Sequence, residues 1–318
     1  FQVNLSVAAS SVFADLNHSD IDPDWFEDEE EKSLNLLYHK KHVYGVGHGI
    51  SADWNVEDGK VKKVYTTTLP QFAVPQMEFN LPSDGGELPD LSISTYAFND
   101  LAVIAKNLDL LARLYGNWID DIKTQLSKLP ASYHSVGNKH IADCESAKDR
   151  ILKGIELLKK DKNVFQSFQH ANEAMLMQRA HTRLQADKSM SDEAPSMPTN
   201  YSKENDTWRP FQIAFLVMNL ISMADPKSSD RDVVDLIWFP TGGGKTEAYL
   251  ALTAYTIFLR RLSSPEASGG TTVIMRYTLR LLTSQQFQRA CTLICACETL
   301  RKNTGLYGEE EISVGLWG

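Results

Sequence analysis

The sequence predicts two architectures in series: an α+β region, then an α/β domain built on a parallel sheet. Three observations carry this. Loosely alternating, Val-, Tyr- and Thr-rich segments are confined to residues 1–98. From Asn99 apolar residues recur every three or four positions instead, the helical period. After Trp208, strand-like apolar runs alternate with long helical ones, the pattern of a parallel sheet with crossover helices. With 318 residues, 42% hydrophobic and 23% charged, the chain can build such cores, and wholesale disorder is excluded. Its longest apolar runs, Ile213–Met218 and Tyr249–Leu259, fall short of the roughly 18 residues of a spanning helix, so no membrane partner is expected.

In the β-rich region 1–98, Phe1–Ser11, His42–Trp54 and Val61–Val74 are expected strands, the last two joined as a hairpin through Glu57-Asp58-Gly59-Lys60. The apolar stretch Leu34–Tyr38 is expected to open a short helix, and Pro82–Pro89 to be a loop. The helical region 99–188 holds three periodic runs: Leu101 to Leu126, capped by Asn99 or Asp100 and ended before Pro130; Ile141 to Leu158; and Phe165 to Met175. Short connections predict antiparallel packing. Residues 189–207 read as a polar linker. The last segment, 208–318, runs Pro210–Met223 (helix), Val233–Phe239 (strand), Lys245–Leu262 (helix), Thr271–Met275 (strand) and Leu279–Arg301 (helix).

The chemistry concentrates in Pro240-Thr241-Gly242-Gly243-Gly244-Lys245-Thr246, between an expected strand and a helix. A strand holds such a loop, glycines let backbone N–H groups close around phosphate oxygens, and the helix N-terminus adds positive charge. Thr241 through Gly244 then form the nucleotide cradle, Lys245 reaches the β/γ-phosphates, and the Thr246 hydroxyl binds Mg²⁺, so ATP and Mg²⁺ are the expected cofactors. Glu247 suits a helix start. Upstream, Arg209 and Gln212 in Trp-Arg-Pro-Phe-Gln are candidates for the base, because an amide offers a donor beside an acceptor, as adenine's edge requires. Downstream, Thr278, Arg280 and Gln285 follow a strand into a helix, where hydroxyl, guanidinium and amide groups suit the phosphodiester oxygens of a DNA strand.

These residues resemble the first RecA-like domain of a superfamily 2 helicase or ATPase. The loop lacks the first glycine of the plain P-loop, where Phe239 stands, and matches the Pro-Thr-Gly-x-Gly-Lys-Thr form of that superfamily with Gly243 variable. Arg209-x-x-Gln212 resembles its adenine-side element, and Arg280-x-Leu282-x-x-Gln285 its motif Ia, with Thr278 and Leu279 where Pro and Thr are usual. The longer strings WFPTGGGKTEAYLALTAYTIFLRRL and VIMRYTLRLLTSQQFQRACTLICACE look like the large helicase subunits of DISARM anti-phage defence systems, and VYGVGHGISADW and FQHANEAMLMQRA look like the region ahead of their helicase core. The resemblance implies an incomplete RecA-like P-loop domain, ATP-driven engagement of DNA in bacterial defence, a second defence-system subunit and an associated methyltransferase. No Asp-Glu-x-His or Asp-Glu-x-Asp box follows motif Ia before Gly318. The chain is thus expected to be an internal piece that binds nucleotide without hydrolysing it. Two other readings remain: a P-loop ATPase of another class acting on protein, and a nucleotide-binding scaffold.

Cys291 and Cys295 share a helix face from which Cys297 diverges, so the three read as buried packing residues, with no structural metal expected. His39, His42, His48 and Asp53 read as a turn region around Gly45–Gly49. The acidic Asp20–Glu31 segment reads as a solvated loop or as a mimic of DNA phosphates. Four cysteines make no disulfide framework, which predicts a cytoplasmic setting. The net charge of −9 lies wholly before Tyr201, since the remainder balances 12 basic with 12 acidic residues. Acidity therefore does not exclude a nucleic-acid partner for the P-loop part.

Overall fold

The computed structural model describes residues 5–16, 28–71, 78–81, 86–188, 198, 200–238, 242–265, 269–277 and 280–316, and describes the helical residues 186–188 and 280–283 by their backbone alone. The elements in chain order are β1 (Ser6–Ala8), α1 (Glu29–Leu37), β2 (Ser51–Glu57), β3 (Lys60–Thr67), α2 (Ile93–Phe98), α3 (Leu101–Leu126), α4 (His134–Lys160), α5 (Lys162–Lys188), α6 (Pro210–Met218), α7 (Leu220–Ala224), α8 (Lys245–Ser263) and α9 (Arg280–Thr304). They form two compact units, Phe1–Gln76 with Ile119–Cys144 and Met77–Trp118 with Glu145–Gly318. This division differs from the four consecutive segments expected from composition, because α3 and α4 each give one end to each unit.

In the first unit the strands pair antiparallel in the order β1-β3-β2, with Ser6 opposite Tyr65 and Asp53 opposite Tyr65 on the other side. The expected hairpin closes at Asp58 and Gly59, with φ of 48° and 71°, the left-handed pair that matches the twist of the flanking strands. The strand expected from His42 begins only at Ser51. Residues before it are held by a side chain instead: Asp15 accepts the Val43 N–H at 2.9 Å and contacts His42 Nδ1 at 2.6 Å. The helix expected to open at Leu34 starts earlier, at Glu29. Asp28 caps it by accepting the Glu31 N–H at 2.9 Å, and Glu29, Glu30 and Glu31 complement the positive end of its dipole. The rest of the acidic segment, through Glu27, lies outside the described residues, as does the first half of the Pro82–Pro89 loop.

The second unit is organised around α5. Asp161 caps it, accepting from Asn163 and Val164 N–H at 2.8 and 3.1 Å. Phe168, Ala171, Ala174, Met175 and Leu176 are wholly buried, so the helix is covered on several sides, by α2, α8 and α9. Phe168 meets Tyr96 of α2 edge-on at 6.2 Å, and His170 meets Phe258 of α8 at 5.9 Å. Asp100 is the N-cap of α3, accepting the Val103 N–H at 2.9 Å. α3 and α4 run antiparallel: Lys159 pairs with Asp109 at 3.2 Å, and further back along α4 Lys148 lies against Gly116. The helix expected over Pro210–Met223 breaks at Asn219, whose side chain donates to the Phe215 carbonyl at 2.8 Å and separates α6 from α7.

The molecule is therefore mixed α and β, but among the described residues its one sheet is the small antiparallel one. The expected parallel sheet is not formed among the described residues. Val233–Trp238 and Thr271–Met275 make no strand pairing there, and Val234, Leu236 and Ile274 are 93%, 83% and 85% exposed. A strand of a parallel sheet is buried on both faces and bonded at its edges; these segments have the composition without the neighbours. The following helices α8 and α9 form as expected.

Candidate functional site

The glycine loop enters α8 through two residues of positive φ, Gly242 at 83° and Gly244 at 76°. Gly244 is the N-cap, so no side chain caps the helix start, where the leading N–H groups have no intrahelical partner. Phe239, Pro240 and Thr241 lie outside the described residues; Gly243 is buried, and Lys245 and Thr246 are half-buried.

Arg209 and Gln212 are brought to this loop. Arg209 is the N-cap of α6, with Pro210 at its first position, and Gln212 Oε1 accepts the Arg209 N–H at 2.8 Å. Gln212 Nε2 then donates to the Gly244 carbonyl at 2.7 Å, while Arg209 Nη1 donates to the Gly242 carbonyl at 3.4 Å. The α6 start thus holds the loop from behind. A Cβ on Gly244 would lie 2.7 Å from Gln212 Nε2, so the closeness of this brace, as well as φ, requires glycine. Gln212 is 2% exposed and uses both ends of its amide on backbone groups. It is placed as a strut rather than as a side chain extended toward a base. The Arg209 guanidinium also lies over Phe79 at 4.0 Å.

Beside the loop lies a cavity of about 460 Å³, whose wall includes Gly242, Gly244, Gln212 and Glu247, together with Gln178, Arg179 and Arg183 of α5 and Arg289 of α9. Its guanidinium groups are partly balanced by acids. Arg289 pairs with Glu247, and Arg183 with Glu204 and, at 2.5 Å, with Asp206. Arg179 donates to the Thr207 carbonyl at 3.1 Å and lies over the Trp208 ring at 5.3 Å. Burial lowers its pKa from the ordinary arginine value, an effect that Asp206 and Glu247 oppose. The α5 residues escaped sequence reasoning, which saw only the apolar stripe of that helix. The spacing Arg179-x3-Arg183, one turn apart on one face, was the available signal.

A second set of residues anchors the segment leading to the loop. Arg150 of α4 is buried and grips Asp235 with both terminal nitrogens, at 2.5 and 2.8 Å, and reaches Asn219 at 3.3 Å and Asp230 at 3.5 Å. The hydrogen bonds to Asp235 raise the Arg150 pKa further.

The motif downstream is only partly placed. Thr278 is outside the described residues, Arg280 begins α9 with backbone alone described, and Gln285 is exposed on α9, away from the residues that line the cavity. Cys297 is buried in α9, but Cys291 is half-buried and Cys295 exposed, against the expectation of three buried cysteines, because the helical period turns their face away from the core. His39 contacts the Leu36 carbonyl, His42 contacts Asp15, and Asp53 accepts from Tyr65, which sends the candidate cluster in three directions. Among the described residues no helix is long and apolar enough to cross a membrane.

No protein-family model matches the chain. It is 39% identical over 313 residues to the DISARM protein DrmA of Bacillus paralicheniformis, a match that covers 92% of this chain and 27% of that protein. The chain thus spans about a quarter of the length of the curated relative it matches. Identity at that level over nearly all of its residues makes the chain similar to one portion of DrmA.

Proposed function

We propose that this chain is the ATP-binding portion of a superfamily 2 DNA helicase or translocase acting in DISARM-type anti-phage defence. The observation that carries the reading is the loop itself: Gly242 and Gly244 at positive φ, Lys245 and Thr246 opening α8, and Arg209 with Gln212 tied to the loop's carbonyls from behind. That arrangement fits a polyphosphate. Backbone N–H groups and the helix start would hold the oxygens, Lys245 would neutralise the terminal phosphates, and Thr246 would offer a hydroxyl to Mg²⁺. Mg²⁺, when bound, withdraws charge from the phosphates. The chain's own residues position the triphosphate.

We read 233–239 and 271–275 as strands of a RecA-like sheet, because each is apolar, rich in β-branched or bulky residues, and followed by a helix. Thr278, Arg280 and Gln285 are then the proposed contacts to DNA, and a second defence-system protein is the proposed partner, in the bacterial cytoplasm. The test is ATP hydrolysis by the full-length protein with and without DNA. Stimulation by DNA, abolished by Lys245→Ala, is expected; an unaltered rate with both single- and double-stranded DNA would refute the helicase reading.

A further inference from the structure

We infer that α5 reads the nucleoside: Gln178 Oε1, oriented by Thr182, accepts a hydrogen bond from a donor on the sugar or base of the nucleotide whose phosphates the glycine loop holds. This rests on the phosphate-loop reading above and extends it to the part of the ligand that the loop does not touch.

Gln178 lines the same cavity as Gly242, Gly244 and Gln212, yet is 1% exposed. Its amide cannot turn freely. Nε2 donates to Thr182 Oγ1 at 3.0 Å, and that hydroxyl donates its single proton to the Gln178 carbonyl at 2.8 Å. Thr182 Oγ1 therefore presents only lone pairs to the amide, and a flip would set two acceptors against each other. Oε1 is fixed as the end left over, and it has no hydrogen-bond partner among the described residues. A buried acceptor without a donor is costly, and such groups in native proteins mark a water, an ion or a ligand.

The surroundings narrow the ligand. Arg179 and Arg183 flank Gln178 and Thr182 on α5, and the glycine loop lies on the same cavity wall, so the site favours a molecule that is anionic at one end and carries a donor at the other. A nucleoside triphosphate meets both requirements, its donor being the exocyclic amine of adenine or a ribose hydroxyl. A base with a carbonyl in place of that amine would meet Oε1 with another acceptor.

The experiment is calorimetric titration of the chain, with Mg²⁺, using ATP, ITP, 2′,3′-dideoxy-ATP and inorganic tripolyphosphate. Gln178→Leu is expected to weaken ATP binding about 10-fold, the loss of one buried hydrogen bond, and to change tripolyphosphate binding by less than about twofold. The penalty should vanish on the analogue that lacks the donor: ITP if the amine is read, dideoxy-ATP if the ribose is. Thr182→Val, at an exposed position, frees the amide to turn and should bring the preference for ATP over that analogue toward unity. This second variant decides the matter alone if Gln178→Leu loses the fold. A penalty absent with ATP, persisting on both analogues or equal on tripolyphosphate overturns the inference, as does an unchanged preference in Thr182→Val. Failure of the unsubstituted chain to bind either ATP or tripolyphosphate would instead sink the phosphate-loop reading.

Discussion

Arg150 shows how much a single side chain can hold without appearing in any motif. It sits at a polar position of a helix, and its partner Asp235 lies 85 residues away, so sequence reasoning had no means of pairing them. With side-chain exposures of 9% and 17%, the pair is dry enough for loss of one member to leave a buried charge. Arg150→Met is expected to lower the unfolding free energy by about 3 kcal/mol, and urea titration measures it. Asp235→Asn should cost a comparable amount, and the double substitution less than the two together. The loop residues were legible for the opposite reason. Gly242, Gly244, Lys245 and Thr246 are adjacent in sequence, and their chemistry is local to one turn. Gln212 was legible as a residue of the site but not in its placement, because its tie to the Gly244 carbonyl crosses 32 residues.

At the scale of the element, helices that bury one stripe and carry a cap were readable: α3 with Asp100, α8 after Gly244, and α9 after its strand-like run. The pairing of the strand-like runs was not, because apolar content fixes a segment's taste for burial and leaves its neighbours unspecified. Close helix contacts were equally hidden. Gly154 of α4 looks like a weak point in a helix, where alanine ordinarily stabilises by about 1 kcal/mol. Its Cβ position, however, lies 2.1 Å from the Val217 carbonyl of α6, and a backbone oxygen cannot rotate away. Gly154→Ala should therefore destabilise, by about 2 kcal/mol, with a lower thermal midpoint as the readout. Gly116→Ala, opposed only by the flexible end of Lys148, should be nearly neutral.

Over the whole molecule, acid sensitivity traces to a contact far from the glycine loop. Glu298 in α9 is held at a pKa of about 2, chiefly by its paired hydrogen bonds from Arg301 and also by the Ile312 N–H at 3.0 Å. A carboxylate depressed in the folded state contributes stability above its unfolded pKa and loses it as pH falls toward the folded one. The thermal midpoint should therefore drop between about pH 4.5 and 2, and Glu298→Gln should be less stable at neutral pH and flatter across that window. Whole-chain features were the least legible. The balance of charge after Tyr201 was readable, whereas the assignment of α3 and α4 to both compact units was not, since it depends on where helices end in space. The exposure of Trp238 also has a practical consequence. At 75% exposed and two residues before Pro240, its indole emits from water, whereas Trp208, 2% exposed beneath Arg179, emits from a dry site. The segment leading to the glycine loop thus carries a built-in fluorophore, and a blue shift on adding triphosphate, lost in Trp238→Phe, would follow triphosphate binding in real time without a label.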